Sequence, residues 1–412
     1  MLVPFPWAPF LRHSEAPWGG GMKALVWQGA GELTVTQVPE PRLRNEQDMI
    51  VRVRKTVTCG ADLHLLGGHI PFMERGDVLG HEFLGEVVEV GPRVRRHRVG
   101  DRVVVCSFVS CGRCWYCRQQ QFSLCDNGNT NPAITEAAWG FAPAGCYGYS
   151  HALGGFAGSH AEYIRVPFGD VGAFKVPDGV ADDAAVFASD AMPTGWMAAD
   201  LCGLKGGEVV AVWGAGGVGQ MAARAAQLLG AERVIMVDRL PERLTAAADR
   251  LGVETVNYAE TDVLEALREM TAGRGPDACI DAVGMEAHDV GPIYAYDKAK
   301  QTARLQTDRP TSVRQAIMAA RKGGTVSIVG VYGGLVDKFP LGAAMNKALV
   351  LRMGQMHAPR YIPMLLDRLA AGEIDPGYLA THPMSLEDGV RGYEIFEKKQ
   401  DACLRSVLHP TA

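Results

Sequence analysis

Four cysteines crowd into fifteen residues as Cys111-x2-Cys114-x2-Cys117-x7-Cys125. Four thiolates in one short segment suit a closed tetrahedral zinc site, which leaves no position for a substrate and so serves structure. Steps as short as CxxC cannot all close as unstrained disulfides, which disfavours the paired alternative. A second set is dispersed: Cys59, Asp62 and His64 in one stretch, and Gly80-His81-Glu82 in another. A catalytic zinc takes three protein ligands and keeps a fourth position open. Cys59 and His81 are natural ligands, and Asp62 is spaced to receive the second ring N–H of His81. On spacing alone, a lone cysteine and a lone histidine more often belong to a core.

The third set is Gly214-Ala215-Gly216-Gly217-Val218-Gly219. It follows the apolar run VVAVWG (209–214) and opens the helical pattern of residues 218–230. Asp238 ends the next strand pattern, 19 residues after Gly219. This context is that of a dinucleotide-binding turn. Its glycines admit the turn, the pyrophosphate and close helix–strand packing, while the helix N-terminus offers free N–H groups. Asp238 would accept the ribose hydroxyls and repel a 2′-phosphate, favouring NAD; Arg239 beside it pulls toward NADP.

These residues need scaffolding. From Met22 to about Val176 the chain carries short β-branched runs punctuated by glycine and proline, the pattern of a compact β domain. From Thr194 onward strand-like and helix-like segments alternate, which predicts a doubly wound parallel sheet. Residues 285–310 are polar and without a clear period, and read as a long loop of functional or mobile character. A helix around 362–371 and a strand over 403–410 return to the first domain. The expected division is an extension at 1–21, a zinc-binding catalytic domain at 22–195 and 351–412, and a dinucleotide-binding domain at 196–350.

A length of 412 residues, 47% of them hydrophobic, allows two or three domains with sizeable cores. A net charge of −5 offers no basic excess for nucleic acid, and no apolar run reaches the ~18 residues of a membrane span. Residues 1–21 hold four prolines and end in three glycines, without the basic start and apolar stretch of a secretory leader. They read as a disordered tail, and a cytoplasmic location follows for the rest. Cys106, Cys146, Cys202, Cys279 and Cys403 carry no motif and read as small apolar packing residues. His357 and Arg360 are placed either near cofactor phosphates or on the surface.

Taken together, these motifs resemble the zinc-containing medium-chain dehydrogenases, the alcohol dehydrogenase superfamily. The resemblance extends through Gly80-His81-Glu82-x2-Gly85-x5-Gly91-x2-Val94 and Gly100-Asp101-Arg102-Val103, and covers about Met22 to Pro410. Ser189-Asp190-Ala-Met-Pro193-Thr194-Gly195 is similar to the formaldehyde dehydrogenase/dismutase branch, where an aspartate replaces the third zinc-binding cysteine. The resemblance implies an α/β fold with a GroES-like β-rich catalytic domain and a Rossmann domain. It implies two zinc ions per chain, NAD, a small alcohol or aldehyde substrate, and a homo-oligomer, dimer or tetramer. Cys59, His81 and Asp190 would bind the catalytic zinc, with Glu82 behind it, Thr194 at the nicotinamide and His64 at the outer end of a proton relay. Asp238 and Arg243 would hold the adenosine ribose, and the 285–310 insertion would cover it. Cys202 is a weaker alternative to Asp190 as ligand. One position departs from the family: Ala61 stands where a hydroxyl residue usually passes the proton. Polyol or sugar oxidation, and a non-catalytic dinucleotide-binding protein, stay open as alternatives.

Overall fold

The computed structural model describes residues 21–285, 287–288, 292–302, 308–334 and 336–411. The extension expected over 1–21 lies outside them except for Gly21, which opens the first strand, Gly21–Gly29. Two sheets carry the functional residues. The first has seven strands, led by Met49–Val57 and Glu82–Val90 in antiparallel register, with Val57 opposite Glu82. Its inward-facing Val51, Val53, Phe83 and Val87 are fully buried. Ser406–His409 joins this sheet beside Met49–Val57, so the chain's last strand comes home to its first domain.

The second sheet is parallel, with six strands in the order Glu254–Asn257, Arg233–Asp238, Val209–Trp213, Ala278–Asp281, Thr325–Ile328, Val350–Met353. Numbered along the chain that order is 3-2-1-4-5-6, which places a topological switch point beside Val209–Trp213. All five residues of that central strand are buried, because helices cover both faces. The sixth strand straddles the boundary expected at 350/351.

One apolar core runs from Leu25 and Val57 through Trp196 and Met197 to Val210 and Met236. The Ala191–Asp200 helix therefore ties the two sheets together. The stretch 285–310 is not wholly a loop: Pro292–Thr302 is helical. Its Asp297 is buried and paired with Arg314 of the Thr311–Ala319 helix. The polar character that hides a helical period is thus the anchoring of that helix by charge. Among the described residues no helix is long and apolar enough to cross a membrane.

Candidate active site

A cavity of about 720 Å³ opens between the two sheets and takes residues from both as its walls. Cys59, His81 and Asp190 line one end. Cys59 caps the Gly60–Leu66 helix in extended backbone, and its N–H donates to Asp62 Oδ2 at 2.8 Å. The other carboxylate oxygen, Oδ1, stands 3.2 Å from His81 Nδ1. Burial opposes the Asp62 charge most strongly, but His81, His160 and the Cys59 N–H together hold the carboxyl below its usual range. His81 is delivered by Gly80 at φ +97°, where an added Cβ would lie 2.3 Å from the His160 ring. Its Nε2 lies 4.0 Å from Asp190 Oδ2.

Asp190 sits between the turn Val186–Ser189 and the Ala191–Asp200 helix. Ser107 Oγ donates to its Oδ2 at 2.5 Å and Thr194 Oγ1 to its Oδ1 at 3.4 Å. Cys59, Glu82 and Asp190 offer donor atoms within 4.8 Å of one another. Glu82 thus stands beside the Cys59 and Asp190 donors. Its Oε1 accepts from the Ala191 N–H at 3.1 Å, and its Oε2 has no partner among the described residues. Burial pushes its carboxyl up to about 8. One thiolate, one imidazole and carboxylates, all buried and one oxygen unsatisfied, fit a divalent zinc.

The opposite end of the cavity is the glycine turn, with Gly214, Gly216, Gly217 and Val218 in its wall. A Cβ on Gly219 would fall 1.7 Å from the Gly214 carbonyl oxygen, so only glycine lets the helix start there. Two buried guanidinium groups, Arg243 and Arg405, also line the cavity, and the Nε of each has no partner among the described residues. Arg405 packs so tightly on Gly217 that a Cβ there would lie 2.7 Å from its Nε. Arg243 also donates to the Cys403 carbonyl at 3.4 Å and Arg405 to the Thr58 carbonyl at 2.7 Å, and buried cations that keep a donor over, beside a helix N-terminus, fit an anionic ligand such as a pyrophosphate. The Asp238 carboxylate accepts from the N–H groups of Ala215 (2.7 Å), Arg239 (2.6 Å) and Leu240 (3.1 Å), which locks it at the strand end facing the cavity. Arg239 shares that wall.

Away from the cavity, Cys111, Cys114, Cys117 and Cys125 place their sulfurs within 4.8 Å of one another, with Cys114 and Cys125 at 3.9 Å. A tetrahedral ion with ~2.3 Å bonds sets sulfur–sulfur separations of about 3.8 Å. The sulfurs also receive N–H bonds, among them Cys111 N to Cys125 Sγ at 3.2 Å and Asn127 Nδ2 to Cys111 Sγ at 3.3 Å. Such bonds stabilise thiolates. All ten cysteines are free of disulfides.

The alcohol dehydrogenase GroES-like domain family matches residues 45–178, and the zinc-binding dehydrogenase family matches 217–290. The zinc-type alcohol dehydrogenase-like protein AdhB of Bacillus subtilis is 38% identical over 94% of this chain and 100% of its own length. The chain belongs to the zinc-containing medium-chain alcohol dehydrogenases. Formaldehyde dismutase of Pseudomonas putida is 35% identical over 76% of each chain. The solved alcohol dehydrogenase TADH from Thermus sp. ATN1 superposes with a TM-score of 0.80 at 35% identity, covering 94% of this chain and 99% of that one. Two solved structures at 26% identity and TM-score 0.73 carry nicotinamide cofactors. One is a Sinorhizobium meliloti zinc-binding dehydrogenase with NADP, covering 95% of this chain and 99% of its own. The other is an Escherichia coli alcohol dehydrogenase with NADH, covering 95% and 100%.

The remaining candidate residues of this dehydrogenase take different positions. Cys202 lies just past the Ala191–Asp200 helix, where its thiol donates to the Ala198 carbonyl at 3.4 Å, away from the catalytic cluster. Cys146, read as packing, forms part of the cavity wall. His357 is not in that wall; its Nδ1 stands 3.0 Å from Ser123 Oγ beside the cysteine lobe, and Arg360 pairs with Asp200. His64 does line the cavity, next to Ala61. No motif in the sequence points to Arg405 or Ser107 as site residues.

Proposed function

We propose that this oxidoreductase moves hydride between the carbinol carbon of a small primary alcohol, or a formaldehyde-type aldehyde hydrate, and NAD. The observation that carries the reading is one cavity with a zinc-type donor cluster at one end and a dinucleotide-type glycine turn at the other. Cys59, His81 and Asp190 would hold the zinc, which supplies a Lewis acid to the substrate oxygen, and the nicotinamide supplies the hydride acceptor. The chain's own work is orientation. Asp62 fixes His81 with its Nδ1 turned away from the cluster, so that Nε2 is presented to it. Ser107 and Thr194 hold the two oxygens of Asp190. A thiolate and a carboxylate together carry two negative charges, which balance a divalent ion. Ala61 can neither give nor take a proton, so a relay from substrate to His64 runs through water.

Arg243 and Arg405 would hold the anionic part of the cofactor and Asp238 its adenosine ribose. The preference is for NAD because Asp238 presents fixed negative charge there. The cysteine lobe would hold the second zinc of each chain. We also propose a cytoplasmic homo-oligomer, a dimer or a pair of dimers, formed by a second copy at the exposed edge strand Val350–Met353. It is the outermost strand of the parallel sheet among the described residues, an edge that a second copy can pair with about a two-fold axis, and Met353 and nearby Met345 are 60% and 78% exposed.

The test is threefold on one preparation: zinc content, binding of NAD and NADP, and NAD reduction with a panel of simple alcohols and aldehydes. Two zinc ions per chain, tighter NAD binding and turnover are expected. Binding without any turnover would leave the non-catalytic alternative standing. Equal or tighter NADP binding would mean that Arg239, not Asp238, sets the preference.

A further inference from the structure

The seven-stranded sheet stops short of the donors. Its register between Met49–Val57 and Glu82–Val90 ends at the pair Val57–Glu82. Cys59 and His81 lie just beyond that pair, on segments that no ladder bond joins to each other. Their separation is set by something else, and a buried imidazole fills the fork. His160 is fully buried. Its ring lies against Gly80, where only a glycine leaves it room, and its Nε2 stands 3.4 Å from the Val57 carbonyl oxygen. Gly80 precedes His81 directly, and Val57 precedes Cys59 by two residues. The backbone that carries the ring is pinned. The His160 N–H donates to the Leu79 carbonyl at 2.9 Å, the Ser159 N–H to the Gly80 carbonyl at 2.9 Å, and the Leu25 N–H to the His160 carbonyl at 2.8 Å.

A carbonyl only accepts, so Nε2 carries the ring proton and Nδ1 is left as an acceptor. Burial lowers the affinity of His160 for a second proton, which keeps the ring neutral. The Tyr393 hydroxyl, on the Gly389–Lys398 helix of the returning chain, meets Nδ1 at 3.2 Å. Burial first, then the charge of Asp62, pushes that hydroxyl well above its ordinary range, so it is a neutral phenol with a proton to donate. The hydrogen bonds thus run one way, from Tyr393 through the imidazole to the Val57 carbonyl. The two rings meet edge-on, with centroids 5.7 Å apart.

We propose that His160 and Tyr393 are positioning residues: the imidazole is a spacer that fixes the separation of Cys59 and His81, and Tyr393 locks its ring. This rests on the assignment of Cys59, His81 and Asp190 as zinc ligands. In the experiment, the chelator-labile zinc of the full chain is exchanged for cobalt(II). The visible ligand-field bands, the rate of cobalt loss to a chelator, and kcat and KM are then read in the wild type, Tyr393→Phe, His160→Leu and His160→Gln. Tyr393→Phe and His160→Leu are expected to shift the bands, speed cobalt loss about tenfold and lower kcat, with NAD binding and the lobe zinc unchanged. His160→Gln, whose amide N–H can still reach Val57, should recover much of the slow cobalt loss. The double variant should be no worse than His160→Leu alone, because Tyr393 acts through that ring. Wild-type bands and loss rates in both Tyr393→Phe and His160→Leu overturn the proposal and leave the zinc reading intact. Should His160→Leu not fold, Tyr393→Phe decides alone, since it removes one oxygen and leaves the ring packing in place. A wild type that takes up no exchangeable ion overturns both.

Discussion

The two clusters of metal-type donors are built in opposite ways. The cysteine lobe draws all four sulfurs from fifteen consecutive residues, and its geometry depends on one short loop and its N–H bonds to sulfur. The cavity cluster draws Cys59 and Asp190 from positions 131 residues apart, together with His81. It exists only after the seven-stranded sheet and the Ala191–Asp200 helix have packed. A local site can hold its ion without help from the rest of the fold and has four equivalent donors. An assembled site mixes thiolate, imidazole and carboxylate and keeps an unsatisfied carboxylate oxygen on Glu82. The first arrangement suits permanence and the second suits exchange of a ligand.

That contrast can be broken most forcefully at Asp190. Asp190→Ala should cost more than ~100-fold in kcat/KM, beyond what loss of a group behind the ligands costs, while unfolding stays cooperative. Asp190→Cys should recover much of the metal affinity, since it supplies a thiolate at the same place, with geometry limiting turnover. Steady-state kinetics on both variants check this.

A smaller effect on rate and a larger one on stability is expected from the lobe. Cys114→Ser leaves three thiolates and should lower the melting temperature by on the order of 10 °C, because metal affinity there is folding free energy. Turnover measured at low temperature should survive within about threefold. Equal loss of activity in Cys114→Ser and Asp190→Ala would erase the distinction between the two sites.

A finer probe is the tie between the lobe and the returning chain. His357 is half-buried, and burial together with Arg360 lowers it to about 4, so it is neutral in the folded protein above that pH. In the unfolded chain it takes a proton near pH 6.5. Unfolding therefore takes up a proton between about pH 6.5 and 4, and stability falls as pH falls through that window. The partial exposure limits the effect to roughly 1 kcal/mol. His357→Asn should flatten that part of the stability–pH profile, read as urea midpoints at pH 7 and 5. The smallest expected effect is at Cys202. Its thiol bonds only locally, so Cys202→Ala should leave zinc content and turnover unchanged.

The same contrast explains what could be read before the structure. The lobe was legible because its chemistry is written in adjacent letters, and the glycine turn because strand, turn, helix and acidic strand end follow in order. Asp190 was legible only through a family resemblance, since nothing in its neighbours' spacing points to Cys59. Arg405 was not legible at all. Its role depends on the last strand returning beside Met49–Val57, a pairing between residues some 350 positions apart. Glu82 follows His81 directly and opens the Glu82–Val90 strand, and the fold brings its carboxylate beside Cys59 and Asp190, a proximity that the spacing of the letters does not display. In the 285–310 stretch the period was hidden by Asp297 and Lys300, which point to charged partners on the parallel domain.

The most direct test of two differently built zinc sites is metal stoichiometry, by elemental analysis, of the wild type, Asp190→Ala and Cys114→Ser after brief exposure to a mild chelator. The account predicts two zinc ions per wild-type chain before chelation and one after. It predicts one in Asp190→Ala that resists the chelator, and one in Cys114→Ser that does not. Two chelator-resistant ions in Asp190→Ala, or a chelator-resistant ion in Cys114→Ser, would contradict it.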